Sequence, residues 1–438
     1  MSSELEHLLG KEAGKTIDLE ALEQAMRSRA LDVAARVLER HLNQGGEEGF
    51  PVLPCSCGKE ARPAGTRSKG FLSVLGPVTL TRRYYLCPSC HTGFFPKDRT
   101  LGIDRASVTP GVLRMVGIVG AELSFEKGGA FLKDLAGLSV SPKQVERVAE
   151  ALGAEMAEDE RSCLDSDPVV SLPSTLYLGL DGTGIPMRPE EVAERPGKQP
   201  GGSSKTREVK LCVIWSAETA DDQGIPVRDE GSATYSAAIE SAASPDTSAA
   251  LSDFASRVLR ETARRQFDRV VRQVAVADGA PWIWRMMDEH FPKAIQILDL
   301  FHAKEHLGTV GKEIFGSESE RSRQWIKARH EELDSGKIDE IIGALKIYTS
   351  HFDEARKCIG YLEENRSRMR YPEFRAKGLC VSSGMVEAGC KVTIGARLKQ
   401  SGMHWSLTGS NAIIALRCTK LSGRFEDFFE RRAARKCA

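Results

Sequence analysis

Two aspartates stand where carboxylates can hold cations. Asp181 ends an apolar run in residues 174–185, STLYLGLDGTGI, and Asp278 ends one in residues 270–279, VVRQVAVADG; a glycine follows each. Short β-branched runs of this kind read as buried strands, so each strand delivers an acid to its end. Two strand-end carboxylates suit a divalent cation, and a third acid further along would complete a two-metal phosphoryl-transfer site. The candidate third acid is Glu387 in VSSGMVEAGCK, where Ser382 or Ser383 caps a helix that sets Glu387 and Lys391 four apart on one face. An exposed ion pair, worth ~0.3–0.5 kcal/mol, accounts for that spacing equally well. The apolar neighbours Met385, Val386, Ala388 and Val392 argue instead for a helix that packs.

Cysteines supply a second constellation. Cys55-Ser-Cys57 and Cys87-Pro-Ser-Cys90 bracket a strand-rich segment, FLSVLGPVTLTRRYYL. Two close pairs joined by a hairpin follow the logic of a zinc ribbon, in which the hairpin brings four thiolates around a tetrahedral structural Zn²⁺. C-x-x-C is the standard knuckle; C-x-C is tighter and less specific, with His91 as a substitute ligand, and four unliganded thiols are the alternative. The total of 11 cysteines, odd and widely scattered, speaks against a disulfide framework. The start, MSSELEHLLGKEAG, has no apolar core of export length, and no apolar run approaches the ~18–20 residues of a membrane helix. The expectation is a soluble cytoplasmic protein.

Formal net charge is zero, so nucleic-acid binding would have to rest on local patches. Residues 59–99 hold eight basic side chains against Glu60 and Asp98, and residues 366–399 hold eight against Glu373 and Glu387. Between them, residues 109–153 read as helices, with Ser141 as N-cap and Pro142 at the first helical position. Lys143, Gln144 and Arg147 would face outward from the second helix of a helix-turn-helix, or of an ordinary helical hairpin.

The chain then divides into an N-terminal helical segment (1–50), a zinc-ribbon-like module (51–100) and a helix-turn-helix-like module (101–165), with a polar linker at 159–173. An α/β domain covers 174–301 and 376–430, interrupted by a helical insertion at 302–375, and the loop at 186–205 is rich in glycine and proline. Three strands, then helix, strand, helix, strand is the order of an RNase H-like fold, in which the first and fourth strands are neighbours.

These pieces resemble a DDE transposase of the Mutator-like kind, most closely the ISKra-type insertion-sequence transposases. The resemblance covers roughly 174–429 and rests on LGLDGTGI, VAVADGAPWIW, ILDLFHAKEHL and SSGMVEAGCK. The D-x-x-H of Asp299 and His302, followed by a helical insertion before the glutamate, discriminates best. The family implies cutting and joining of DNA at terminal inverted repeats, with target DNA as second substrate, by a homodimer or higher homo-oligomer at the prokaryotic nucleoid. In that chemistry Asp181 bridges two Mg²⁺ or Mn²⁺ ions, Asp278 binds one and Glu387 the other. His302, its imidazole oriented by Asp299, positions the scissile phosphate. Arg82, Arg83, Lys143, Gln144, Arg147, Lys391, Arg397 and Lys399 are the expected DNA contacts, and Trp282, Trp284, Trp405 and His404 are candidates for base stacking. A zinc-ribbon DNA-binding protein that no longer cuts, and a nuclease without strand transfer, are the competing readings.

Overall fold

A 14-residue strand and an 11-residue strand, the second rich in β-branched and aromatic residues, form the hairpin that organises the first part of the chain. The computed structural model describes residues 19–44, 51–104, 106–163, 171–193, 204–239 and 252–437. The chain divides into two units, Met1–Leu152 with Glu426–Ala438, and Gly153–Phe425.

In the first unit, helix α1 (Leu19–Asn43) precedes a four-stranded antiparallel sheet, β1 (Leu53–Pro54), β2 (Glu60–Ser73), β3 (Gly76–Leu86) and β4 (Gly93–Phe94). Strand β4 is too short to cover β3, whose open edge is closed by α1. Thr79 N–H donates to Glu39 Oε2, and Thr81 N–H to Asn43 Oδ1, both at 2.8 Å. Side chains thus satisfy backbone groups that would otherwise invite another strand. Beneath lies a core of Ala35, Phe71, Val78, Leu80 and Ile103.

The short helix α2 (Pro96–Thr100) is followed by α3 (Pro110–Glu122), α4 (Phe125–Ala136) and α5 (Pro142–Ser162). Thr109 and Ser124 cap α3 and α4, Gly137 ends α4 in the left-handed region at φ 71°, and Ser141 Oγ accepts from Gln144 N–H. Helices α3 and α5 touch where Gly120 faces Ala149; a Cβ on Gly120 would sit 2.6 Å from the alanine methyl.

The boundary between units falls within α5. The expected linker at 159–173 therefore begins too early: α5 runs to Ser162, and Asp159 is buried. Glu160 pairs with Arg257 (2.7 Å) and Arg260 (3.2 Å). Residues 164–170 of that stretch, and 194–203 of the expected glycine/proline loop, lie outside the described residues.

The second unit is built on a five-stranded mixed sheet: β5 (Thr175–Pro186), β6 (Thr206–Ser216), β9 (Thr234–Ile239), β10 (Arg272–Ala277) and β11 (Ile295–Leu298), ordered β11-β10-β5-β6-β9. Strands β11, β10 and β5 are parallel, and β5, β6 and β9 antiparallel. A two-stranded ribbon, β7 (Thr219–Ala220) and β8 (Pro226–Val227), interrupts the β6–β9 connection. Helix α6 (Asp253–Arg264) leads into β10, and α7 (Pro281–His290) joins β10 to β11. Alternation puts Lys210 of β6 on the α6–α7 side, buried, with its ammonium 4.5 Å from the Trp282 ring centroid.

Next come α8 (Leu300–Phe315), α9 (Glu320–Asp334), α10 (Ile338–Lys346), α11 (Asp353–Glu364) and α12 (Tyr371–Ala376). The chain returns to the sheet in α13 (Gly384–Gly389), a π-helical turn (Cys390–Gly395), α14 (Ala396–Leu398) and α15 (Leu407–Leu421); α16 (Phe425–Cys437) closes the chain. Asn411 and Ser422 accept Ile239 N–H and Tyr235 N–H at 3.0 and 2.9 Å, so the edge strand β9 is covered. Among the described residues no helix is long and apolar enough to cross a membrane.

Candidate functional site

The register of the parallel pair brings the first two acids together. Leu180 pairs with Ala277 as the last matched residues of β5 and β10, so Asp181 and Asp278 are the next in line, on the same face. Strand β5 does not end at Asp181. It continues to Pro186 against β6, whose Leu211 is paired with Asp181. The acid therefore sits where β10 stops and β5 runs on, a notch rather than a strand terminus.

Asp181 is half-buried, and its Oδ1 accepts Gly182 N–H at 2.6 Å. Burial holds its carboxyl above the usual aspartate value; Asp278 pushes the same way, while Cys390, Gly182 and His302 oppose. Asp278, also half-buried, accepts Ala280 N–H at 3.0 Å and so shapes the entry to α7.

Helix α13 crosses the same face. Val386 packs on Gly179 of β5, and Gly389 lies against Leu211 and Val213 of β6. One turn beyond Glu387, the buried Cys390 thiol is pushed up by burial and by the nearby Asp181 charge. Glu387 itself is exposed and pairs with Lys391 at 2.5 Å, the spacing-derived ion pair. Among the described residues, the acids are not gathered within 4.8 Å as a ligand set.

Asp299 has a different task from the one expected. It is buried and caps α8: Oδ1 accepts His302 N–H at 2.8 Å, and Oδ2 accepts Ser383 N–H. Its contact with His302 is through the backbone, not the imidazole, and it ties the start of α8 to the segment leading into α13. The His302 ring instead lies 3.6 Å from Glu305 and edge-on to His306, whose ring is 4.3 Å from that of Tyr361. Burial, then His302, holds His306 below the ordinary histidine value. Burial and the nearby Asp278 and Asp299 push the Tyr361 phenol up.

Cys390, His306 and Tyr361 escaped sequence reasoning. Cys390 is three residues from Glu387 and His306 four from His302, so helical spacing marked both; nothing local marked Tyr361.

In the first unit the four cysteines converge. Their Sγ atoms all lie within 4.8 Å of one another, with Cys55–Cys90 at 3.5 Å and Cys57–Cys87 at 3.6 Å. A tetrahedral site with ~2.3 Å Zn–S bonds has S···S edges of about 3.8 Å, so the donor set fits a zinc ion. Each pair sits on a turn completed by a left-handed residue, Gly58 (φ 78°) and His91 (φ 55°). His91 thus closes the second turn and stands outside the sulfur set. The Thr92 side chain and backbone hold the Cys90 thiol down to about 6, while, against the Lys59 backbone bond, Cys90 and burial push the Cys57 thiol up to about 12.

The expected DNA contacts divide. Lys143, Arg147, Lys391 and Lys399 are exposed, although Lys143 pairs with Glu146 and Lys399 donates to Thr183. Arg83 and Gln144 are half-buried, and Gln144 donates to Ser107. Arg82 and Arg397, expected at the DNA, are turned inward instead. Arg82 is buried, forks onto Asp98 at 2.9 and 3.1 Å and lies over the Phe95 ring. Arg397 is fully buried beside Met403 and Trp405. Trp282, Trp284 and Trp405 are buried as well.

No protein-family model matches the chain, and no curated protein matches it. Among solved structures the chain is similar to the Drosophila P element transposase strand transfer complex, at TM-score 0.26 and 10% identity, over 74% of this chain and 80% of that one.

Proposed function

We propose that this chain is a metal-dependent DNA transposase with an RNase H-like catalytic unit, of the Mutator-like DDE kind and nearest the ISKra type. It would cut and join DNA at the terminal inverted repeats of an insertion sequence. The observation that carries this reading is the shared face: Asp181 and Asp278 are the next residues after the last matched pair of two adjacent parallel strands, and the helix bearing Glu387 packs across β5 at Gly179, two residues from Asp181.

The donor set fits hard divalent cations, Mg²⁺ or Mn²⁺, which take oxygen ligands. Asp181, Asp278 and Glu387 would hold them, and the half-buried Asp181 carboxylate gains most, because burial disfavours its charge. When bound, two such ions ~3.5–4 Å apart activate an attacking oxygen and stabilise a leaving one. Glu387 must first release Lys391, which costs little because the pair is exposed. His302, at the start of α8 beside the acids, would position the scissile phosphate, and Lys391 and Lys399 would contact the DNA backbone. In the other unit, zinc on Cys55, Cys57, Cys87 and Cys90 would brace a DNA-binding hairpin, with Lys143 and Arg147 as further phosphate contacts. The acting form would be a homodimer or higher homo-oligomer.

A DNA-binding protein that does not cut is favoured by one observation, the Glu387–Lys391 pair that withholds the third acid. Incubation of the purified protein with a fragment bearing the element's ends and Mg²⁺ separates the readings. Nicks at those ends that vanish in Asp278→Ala support the enzyme, and joined products exclude a plain nuclease. Tight binding without nicks supports the non-cutting protein.

A further inference from the structure

An imidazole that positions a phosphate must be aimed before the substrate arrives, and a partly exposed histidine in the first turn of a helix has several rotamers open to it. His302 is such a residue, its side chain 39% exposed. The start of its helix is fixed. Asp299 N–H donates to the Ala277 carbonyl at 2.8 Å, one residue before Asp278, and Leu300 N–H to the Val381 carbonyl at 3.0 Å. The His302 ring is backed from the next turn, edge-on to His306 with 4.9 Å between centroids.

What backs His306 comes from the helical insertion. The Tyr361 ring of α11 lies 4.3 Å from the His306 ring, tilted by 33°. The same ring fills the space over Gly279, the residue after Asp278: a Cβ there would stand 3.1 Å from the tyrosine Cδ2 and Cζ. The Tyr361 hydroxyl is buried and finds no hydrogen-bond partner among the described residues, so the flat ring is what this position uses. Helix α11 is anchored to the sheet behind it. Asn365, 1% exposed, donates from Nδ2 to the Tyr361 carbonyl at 3.0 Å, and its Oδ1 accepts Arg368 Nη1 at 3.1 Å. Arg368 in turn donates from Nε to Gln296 Oε1 of β11 at 2.7 Å and lies over the Trp284 ring of α7.

We infer that Tyr361 is a positioning residue: its ring, wedged between Gly279 and His306, sets the aim of His302 relative to Asp278, so that the helical insertion gauges the site it interrupts. The purpose of the wedge rests on the function proposed above; the ring contacts stand without it. Phenylalanine keeps the ring at this position, and leucine removes it.

The test joins two readouts on the full chain. In protein carrying ¹³C-labelled histidine, the His302 ring signals are assigned by their loss in His302→Gln. They are expected to be displaced in Tyr361→Leu and to stay near their wild-type positions in Tyr361→Phe. In an end-cleavage assay with Mg²⁺, Tyr361→Leu is expected to lower kcat about ten- to hundredfold, the scale of a slightly misplaced group, with KM for DNA unchanged. Tyr361→Phe should restore most of that loss. His306→Leu removes the same stack without touching the insertion, and should give the same result where Tyr361→Leu does not fold. Signals and kcat that ignore the loss of the stack overturn the inference, as does a phenylalanine variant as impaired as the leucine one. Wild-type protein that cuts no DNA, while its His302 signals respond to Tyr361→Leu, defeats the proposed function and with it the purpose of the wedge. Cutting that is indifferent to Tyr361 defeats the inference alone.

Discussion

Gly179 of β5 lies directly beneath Val386 of α13: a Cβ at 179 would fall within the contact shell of Val386 Cγ2 and 3.0 Å from Trp215 Cζ3. This close approach seats the helix that carries Glu387 and leads into the π-helical turn. Gly179→Ala is expected to cost ~1–3 kcal/mol by overpacking. By lifting α13 it should reduce cleavage more than end binding. Denaturant unfolding and a gel assay of both activities would check this, and an unchanged cleavage rate would mean that the helix is not part of the site.

Asp181 should be a residue retained at the expense of stability. Its folded pKa lies above the ordinary 3.8, so ionisation costs stability at neutral pH, and the cost disappears as pH falls through the folded value. Asp181→Asn is therefore expected to raise the thermal midpoint of the metal-free protein while abolishing cleavage. Thermal melts at pH 7 with chelator present measure the first effect.

Glu261 behaves in the opposite way. Burial works to raise it, but Arg424, at 2.7 and 2.8 Å, together with Thr234 and Arg264, holds it below the usual 4.5. Its contribution is present above about pH 4.5 and lost as pH falls through the lower folded value. Glu261→Gln should flatten that acid limb and cost ~3–5 kcal/mol, since Arg424 loses its buried partner. Urea midpoints between pH 3 and 7 would show both.

The cysteine cluster makes a separable prediction. Purified protein should carry about one zinc per chain. Cys87→Ser, at a fully buried sulfur, should lose the ion and weaken DNA binding while leaving metal uptake at the acids in place. Elemental analysis with a binding assay checks it; equal loss of both functions would contradict the division of labour.

Sequence reasoning reached the strands because β-branched runs closing on D-G are local signals, and reached the cysteine turns because ligand spacing is local too. It misjudged charged residues whose burial is decided by distant partners. Arg82 falls in step with the buried Val78 and Leu80 of β3, so alternation marked it as inward-facing; its charge, met by Asp98 from α2, hid that. Arg397 falls in a helical stripe with Ile394 and Leu398, a pattern that marked it as inward-facing had its charge been set aside. Asp299 reads as a helix cap three residues before the His302 N–H it receives. Tyr361 packs over Gly279 from more than 80 residues away, and no local pattern encodes that contact.

The account stands or falls on cation binding by the three acids, and Mn²⁺ uptake followed by electron paramagnetic resonance, with zinc already in place, measures it most directly. Wild-type protein should bind Mn²⁺ saturably in the presence of end DNA, with uptake sharply weakened in Asp181→Asn, Asp278→Ala and Glu387→Gln. Equal uptake by all four proteins, or none by the wild type, would contradict it.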